Sequence, residues 1–185
     1  MSKFFKLVPD NAGLLVVDVQ EKLFPYVDRP CEVMEKIQQL VKGVKLLDLP
    51  IIATEQYPKG LGETIKPLKD LIGEKALFPE KTAFSVCGDE GALKAVEKAG
   101  KKQWIVCGIE AHVCVLQTVR DLLEKGYEVV VVNDAISSRS IFDFSTAIAE
   151  LRDMGARISS VETVLFELFG DAKHPKFKEL SALVK

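Results

Sequence analysis

Four short runs in this chain are apolar from end to end: Gly13–Val17, Pro50–Ala53, Trp104–Cys107 and Val129–Val132. A strand with one wet face alternates apolar and polar residues, whereas a strand covered on both faces need not. Valine and isoleucine dominate the runs, which favours strand over buried helix. Ala76–Phe78 and Arg157–Val161 are weaker candidates of the same kind. Between the runs the period changes to helical. In Cys31–Asp48 the residues Val33, Met34, Ile37, Leu40, Val41, Val44 and Leu47 share one face. Further helices are expected over Glu90–Ala99, Val113–Lys125 and Ser140–Met154, with one or two short ones in Val161–Lys185. Gly100, Gly126 and Gly155 each follow a helix and precede a strand, the place of a left-handed C-terminal residue. Ser140 with Asp143 matches a capping box. Strand–helix alternation with short connections predicts one doubly wound α/β domain over residues 1–185, with no linker or repeat dividing it.

Charge and cysteines narrow the function classes. Lys and Arg number 25 against 27 Asp and Glu, a net of −2, which removes the basic surplus that nucleic acid or an anionic membrane surface requires. No apolar run approaches the ~20 residues of a membrane span, and the start, Met1–Lys6, lacks the apolar core of an export signal. The four cysteines, Cys31, Cys87, Cys107 and Cys114, form no CxxC, and His112 and His174 stand at no zinc-ligand spacing from them. Free thiols in a reducing compartment, the cytoplasm, are expected.

In an open parallel sheet, ligands bind beyond the carboxyl ends of the strands, where strand order reverses. Asp18 and Gln20 directly follow the first apolar run. No GxGxxG or GxxxxGK[ST] is present, so dinucleotide and nucleotide triphosphate binding are disfavoured. After the Trp104–Cys107 run, Gly108–Ala111 turns the chain toward a helix with Cys114 in its first turn, where the dipole favours thiolate and free N–H groups can hold an oxyanion. Cys107, within a strand, suits a buried structural thiol, and Cys31 and Cys87 lack the setting of Cys114. His112 lies two residues from Cys114 and so points away from it on a helix. Lys81 follows the Ala76–Phe78 run; beside a carboxylate and a thiolate its charge would stabilise both.

Three ordered motifs, Leu14–Gln20 (LLVVDVQ), Glu80–Ser85 (EKTAFS) and Cys107–Thr118 (CGIEAHVCVLQT), resemble the isochorismatase-like superfamily of cysteine hydrolases. Asp18, Lys81 and Cys114 match its Asp–Lys–Cys triad. Glu55–Gly62, Ser137–Ser140 and Gly170–Lys178 are similar to the isochorismatase domain-containing proteins within it. The resemblance implies a Rossmann-like three-layer sandwich with a six-stranded parallel sheet in the order 3-2-1-4-5-6, and dimers or higher homo-oligomers. It implies that Cys114 attacks an amide-type carbonyl after passing its proton to Asp18, with Lys81 holding both in register. The N–H groups of Glu110 and Cys114 would form the oxyanion hole, and a cis peptide is expected at Ile109–Glu110. Gln20, Phe24, Tyr57, Phe84 and Val113 are the expected pocket residues.

Metal-containing nicotinamidases of this superfamily carry Asp-x-His after the second strand and a further histidine nearby. Here that stretch is Thr54–Tyr57, and no histidine occurs before His112. No metal and no cofactor is therefore expected, and a small molecule with an amide-type C–N bond is the expected substrate. The competing readings are a non-catalytic interaction module retaining the fold, and a thiol redox sensor, for which Cys107 is poorly placed as resolving thiol.

Overall fold

The computed structural model of the chain describes residues 4–185. Residues 1–3, part of the start read above for its lack of an export signal, lie outside the described residues. Six strands form a single sheet: β1 (Ala12–Val17), β2 (Ile51–Gln56), β3 (Glu80–Lys81), β4 (Gln103–Ile109), β5 (Glu128–Ser137) and β6 (Arg157–Ser159). Every pairing is parallel, and the order is β3-β2-β1-β4-β5-β6, as the resemblance implies. The helices are α1 (Pro30–Leu46), α2 (Pro58–Leu61), α3 (Lys66–Ile72), α4 (Glu90–Lys98), α5 (Leu116–Glu124), α6 (Ile141–Asp153), α7 (Val161–Phe169) and α8 (Phe177–Leu183).

The apolar runs are continuous because each strand feeds two cores at once. Leu14, Val16, Ile105, Cys107, Val130 and Val132 pack on one face with α1, α3, α7 and α8. Leu15, Val17, Trp104, Val106, Val129 and Val131 pack on the other with α4, α5 and α6. The period of two is present, but both phases are buried.

Three elements depart from the sequence expectations. The run Ala76–Phe78 contributes only a bridge between Leu77 and Ile52, and the third strand is Glu80–Lys81. Ala53, Glu55 and Tyr57 still donate N–H groups to the carbonyls of Leu77, Pro79 and Lys81 at 2.9, 3.1 and 2.8 Å. Pro79 has no N–H to return, so the two-way ladder starts only after it. The sixth strand stops at Ser159 because the Ser160 side chain accepts the Thr163 N–H and caps α7 from Val161. Finally, the helix expected from Val113 opens with a π-turn, Ala111–Val115, in which the Val115 N–H reaches back to the Glu110 carbonyl at 3.2 Å. The short helices α2 and α3 had no clear apolar period to announce them.

Candidate active site

The register of the sheet brings the site together. Val17 pairs with Thr54 of β2 on one side and with Gly108 of β4 on the other, so the carboxyl ends of three strands are level. Order reverses here, with β1 central, β2 to one side and β4 to the other. Gly108 has φ +112°, and a Cβ there would lie 2.1 Å from the Val17 carbonyl oxygen. Only glycine allows β4 to pass this close to β1. The approach carries the π-turn, and Cys114 with it, against Asp18.

Asp18 is wholly buried and has φ +50°, turning its side chain out of the strand line and into the gap between β2 and β4. Its Oδ1 accepts the Thr54 hydroxyl at 2.7 Å and its Oδ2 accepts Lys81 Nζ at 2.7 Å. A further hydrogen bond comes from the Cys114 thiol. Burial raises the carboxyl pKa above its usual range, opposed by the Lys81 charge and by the hydrogen bonds from Lys81, Thr54 and Cys114.

Lys81 is also fully buried, among the largest side chains with no exposed surface. Beyond Asp18, its ammonium donates to Gln56 Oε1 at 2.7 Å, to the Phe84 carbonyl at 3.0 Å and to the Ala83 carbonyl at 3.3 Å. Three N–H donors face four acceptors. With every donor occupied, Lys81 is built as a fixed charge and has no spare proton donor for a ligand.

Cys114 is 7% exposed. Burial first, and then the Asp18 charge, push its thiol up to about 12, with Lys81 opposing. This corrects the expectation drawn from the helix end. A resting thiolate does not follow from the dipole, because desolvation and a neighbouring carboxylate outweigh it, and the turn is π rather than the first turn of an α-helix. Cys107 is fully buried and its thiol is raised further by burial alone. Cys31 is exposed in the first turn of α1.

The Ile109–Glu110 peptide bond is cis. The Glu110 carboxylate accepts the Arg139 backbone N–H at 3.0 Å and Nε at 3.1 and 3.2 Å, tying the β5–α6 loop to the π-turn. His112 turns to that loop too, its Nδ1 2.9 Å from Ser138 Oγ. Among the expected pocket residues, Tyr57 and Phe84 are 54% and 53% exposed, and Val113 is half-buried. Phe24 is 3% exposed and packs in the α1 core. Gln20 is buried and spends its side chain on the backbone of Gln56 and Gly62, so it is a strut between β1, β2 and α2.

Sequence reasoning missed Thr54 and Gln56 as partners of Asp18 and Lys81. Both follow the apolar run of β2, and the rule that singled out Asp18 would have found them. A cavity of about 270 Å³, lined by Tyr57, Pro58, Lys59, Glu80, Lys81, Thr82 and Asp89, opens beside Lys81. A larger cleft of about 750 Å³ lies around Leu49–Ile51 and Ile72–Ala76, at the amino end of β2. It is far from Asp18 and on the wrong end of the sheet for a switch-point site. Among the described residues, no three His, Cys, Asp or Glu side chains form a group able to hold a metal ion.

The model of the isochorismatase domain matches residues 12–163. The chain is 37% identical over 179 residues to isochorismatase domain-containing protein 1 of Salmo salar, matching 97% of this chain but only 62% of that one. Isochorismatase domain-containing protein 2 of Danio rerio is 40% identical over 185 residues, covering 100% of this chain and 92% of the relative. The secreted isochorismatase effector Isc1 of Phytophthora sojae is 39% identical over 184 residues, covering 97% and 87%. Among solved structures, MAR1 ribonuclease of Caenorhabditis elegans is 40% identical with a TM-score of 0.91, covering 97% and 92%. YcaC of Pseudomonas aeruginosa, solved with hexane-2,5-diol and covalent acrylamide, is 26% identical with a TM-score of 0.93, covering 98% and 91%. YcaC of Escherichia coli, described as an octameric hydrolase of unknown specificity, is 26% identical with a TM-score of 0.92, covering 99% and 91%.

Proposed function

The chain belongs to the isochorismatase family and has its hydrolase fold, and from this premise we propose that it hydrolyses an amide-type C–N bond of a small molecule through a thioester on Cys114. One observation carries the reading: a buried carboxylate, Asp18, is fixed between the Thr54 hydroxyl and the Lys81 ammonium and takes a hydrogen bond from Cys114. A nucleophile thus touches its base, and the base touches the group that orients it. The covalent acrylamide in YcaC of Pseudomonas aeruginosa adds support, since an acrylamide adduct requires a nucleophile.

The Cys114 sulfur attacks the carbonyl carbon while its proton passes to Asp18. The backbone N–H groups of Glu110 and Cys114 stabilise the oxyanion. Collapse breaks the C–N bond, with Asp18 returning the proton to the leaving nitrogen. Water, deprotonated by Asp18, then attacks the thioester, and the proton goes back to the departing sulfur to regenerate the Cys114 thiol. Tyr57, Phe84 and Val113 border the entrance, and no step calls on a metal or cofactor.

Exposed Phe84 on the β3–α4 loop, and exposed Ile141 and Phe142 in the first turn of α6, support burial of apolar surface in a homo-oligomer, as does the octameric relative. Four free thiols, one of them on the surface, support a reducing compartment such as the cytoplasm.

The similarity to the Caenorhabditis elegans MAR1 ribonuclease favours a second reading, cleavage of RNA. A net charge of −2 gives that reading little electrostatic support. The two readings part in one experiment: incubation with a panel of small amides, and separately with RNA, followed by mass detection of an acyl adduct on Cys114. An acyl-Cys114 species that accumulates with an amide, and turnover lost in Cys114→Ala, is the expected result. Amide turnover by Cys114→Ala at the wild-type rate would overturn the thioester reading. No adduct and no turnover across a broad panel would favour a non-catalytic interaction module.

A further inference from the structure

Gln56 spends all four of its polar groups on this site. Its backbone N–H donates to Gln20 Oε1 at 2.7 Å, and its carbonyl accepts Gln20 Nε2 at 3.0 Å. Its side-chain Nε2 donates to the Thr82 carbonyl at 2.7 Å, and its Oε1 accepts Lys81 Nζ at 2.7 Å. The amide is therefore locked at both ends. The Thr82 carbonyl demands a donor at one end, Lys81 demands an acceptor at the other, and the backbone of the residue is clamped to β1.

We propose that Gln56 is a positioning residue that keeps the positive charge of Lys81 committed to Asp18 by giving the ammonium a neutral acceptor in place of a second carboxylate. The proposal rests on the Asp18–Lys81–Cys114 reading of the site and extends it to a residue whose polar groups go to Gln20, Thr82 and Lys81. A carboxylate of the same length would compete with Asp18 for Lys81 and would face the Thr82 carbonyl with a lone pair. The charged groups around the pair are few. They are Asp18 after β1 and Glu110 after β4, with the neutral Cys114 thiol in the π-turn and exposed Lys59 on the cavity beside Lys81. Glu55, beside Gln56 in β2, is turned away to the Thr64 N–H at 2.7 Å and to Lys69 at 3.6 Å. Asp89 is engaged in capping α4, and Glu80 is exposed.

The test is the pH profile of Cys114 alkylation by acrylamide, resolved from the other thiols by peptide mass spectrometry, in wild type, Gln56→Glu, Gln56→Met and Asp18→Asn. In Gln56→Glu the ionised carboxylate withdraws part of the Lys81 charge and adds a negative one. The Cys114 profile then moves up by about one pH unit, read as a rate about tenfold lower at fixed pH. Gln56→Met removes the acceptor without adding charge, so its profile does not move up. A merely structural role would displace both variants the same way, and that result, or an unmoved Gln56→Glu profile with an unchanged melting temperature, overturns the proposal. Asp18→Asn separates the failures. Loss of the carboxylate should move the Cys114 profile down, and if it leaves the profile in place, the underlying reading of the site fails rather than the role of Gln56.

Discussion

Gly108→Ala should damage this protein far more than its chemistry suggests. The added Cβ would meet the Val17 carbonyl oxygen at 2.1 Å, the Val17 nitrogen at 2.6 Å and its carbonyl carbon at 2.8 Å, all backbone atoms that no rotamer can move aside. Ordinary contact begins near 3.4 Å, so β1 and β4 would have to part by about 1.3 Å at this level. Strands lie about 4.8 Å apart, and hydrogen bonds near 2.9 Å would stretch well past their useful range. Overpacking costs about 1–3 kcal/mol. The left-handed φ of +112° adds about 1–2 kcal/mol for a residue with a Cβ. The sum is about 2–5 kcal/mol.

Gly126→Ala is the matched control. Its φ is +85°, but a Cβ there meets nothing within 4 Å, so only the conformational cost of about 1–2 kcal/mol remains. Urea denaturation of both variants isolates the clash. Because Asp18 follows Val17 directly and Cys114 hangs from the π-turn beyond Gly108, any folded Gly108→Ala protein should also lose about a hundredfold in turnover from displaced groups. A Gly108→Ala stability within 0.5 kcal/mol of Gly126→Ala, a margin of about the usual experimental scatter, would refute the reasoning that the site depends on this close approach.

Alkaline pH supplies another check. The Cys114 thiol sits at about 12 in the folded chain against 9.0 when unfolded, so between these values the unfolded state has released a proton that the folded state keeps. Stability therefore falls as pH rises from 9 toward 12, by up to about 4 kcal/mol from this group. Cys114→Ala should show a shallower loss across that window in thermal melts, and an identical slope would contradict a protonated resting thiol. Thr54→Val removes the hydroxyl that satisfies Asp18 Oδ1 at 2.7 Å. It should cost about 1–3 kcal/mol in urea denaturation, since the buried oxygen is left unpaired, and should slow turnover about tenfold. Phe142 is 80% exposed; if it is buried in the proposed homo-oligomer, Phe142→Asp should give smaller species than wild type in light scattering without changing the far-ultraviolet circular dichroism, and an unchanged mass would remove Phe142 from any such interface.

The strand runs made the fold legible because burial on both faces leaves a pattern that short sequence windows can detect. Asp18 was legible for the same reason, being the first polar residue after a run. Lys81 was harder, since its own strand is two residues long and the weak Ala76–Phe78 run before it, which pointed toward it, forms only a single bridge. The state of Cys114 could not be read along the chain. Its ionisation depends on how deeply the π-turn is buried and on how close Asp18 comes, and both follow from the approach of β4 to β1 at Gly108. Phe24 illustrates the same limit, because an aromatic residue after a strand reads equally as pocket wall or core, and only the position of α1 decides.

A thiol held near 12 is a poor nucleophile by itself, yet the arrangement around it resolves the conflict. The raised values of Asp18 and Cys114 describe loss of a proton to solvent, which changes the net charge of a buried site. Passing the proton from Cys114 to Asp18 does not. Before the proposed transfer the three groups are a carboxylate, an ammonium and a thiol, and afterwards a carboxylic acid, an ammonium and a thiolate, each set with zero net charge. Burial penalises both arrangements in similar measure, while Lys81, unable to leave because its donors are all engaged, faces the anion in each. In the proposed mechanism the thiolate therefore forms only while Asp18 is in contact to receive its proton and an electrophile is present to consume it. Oxidants and adventitious electrophiles in solution meet a neutral thiol that is 7% exposed.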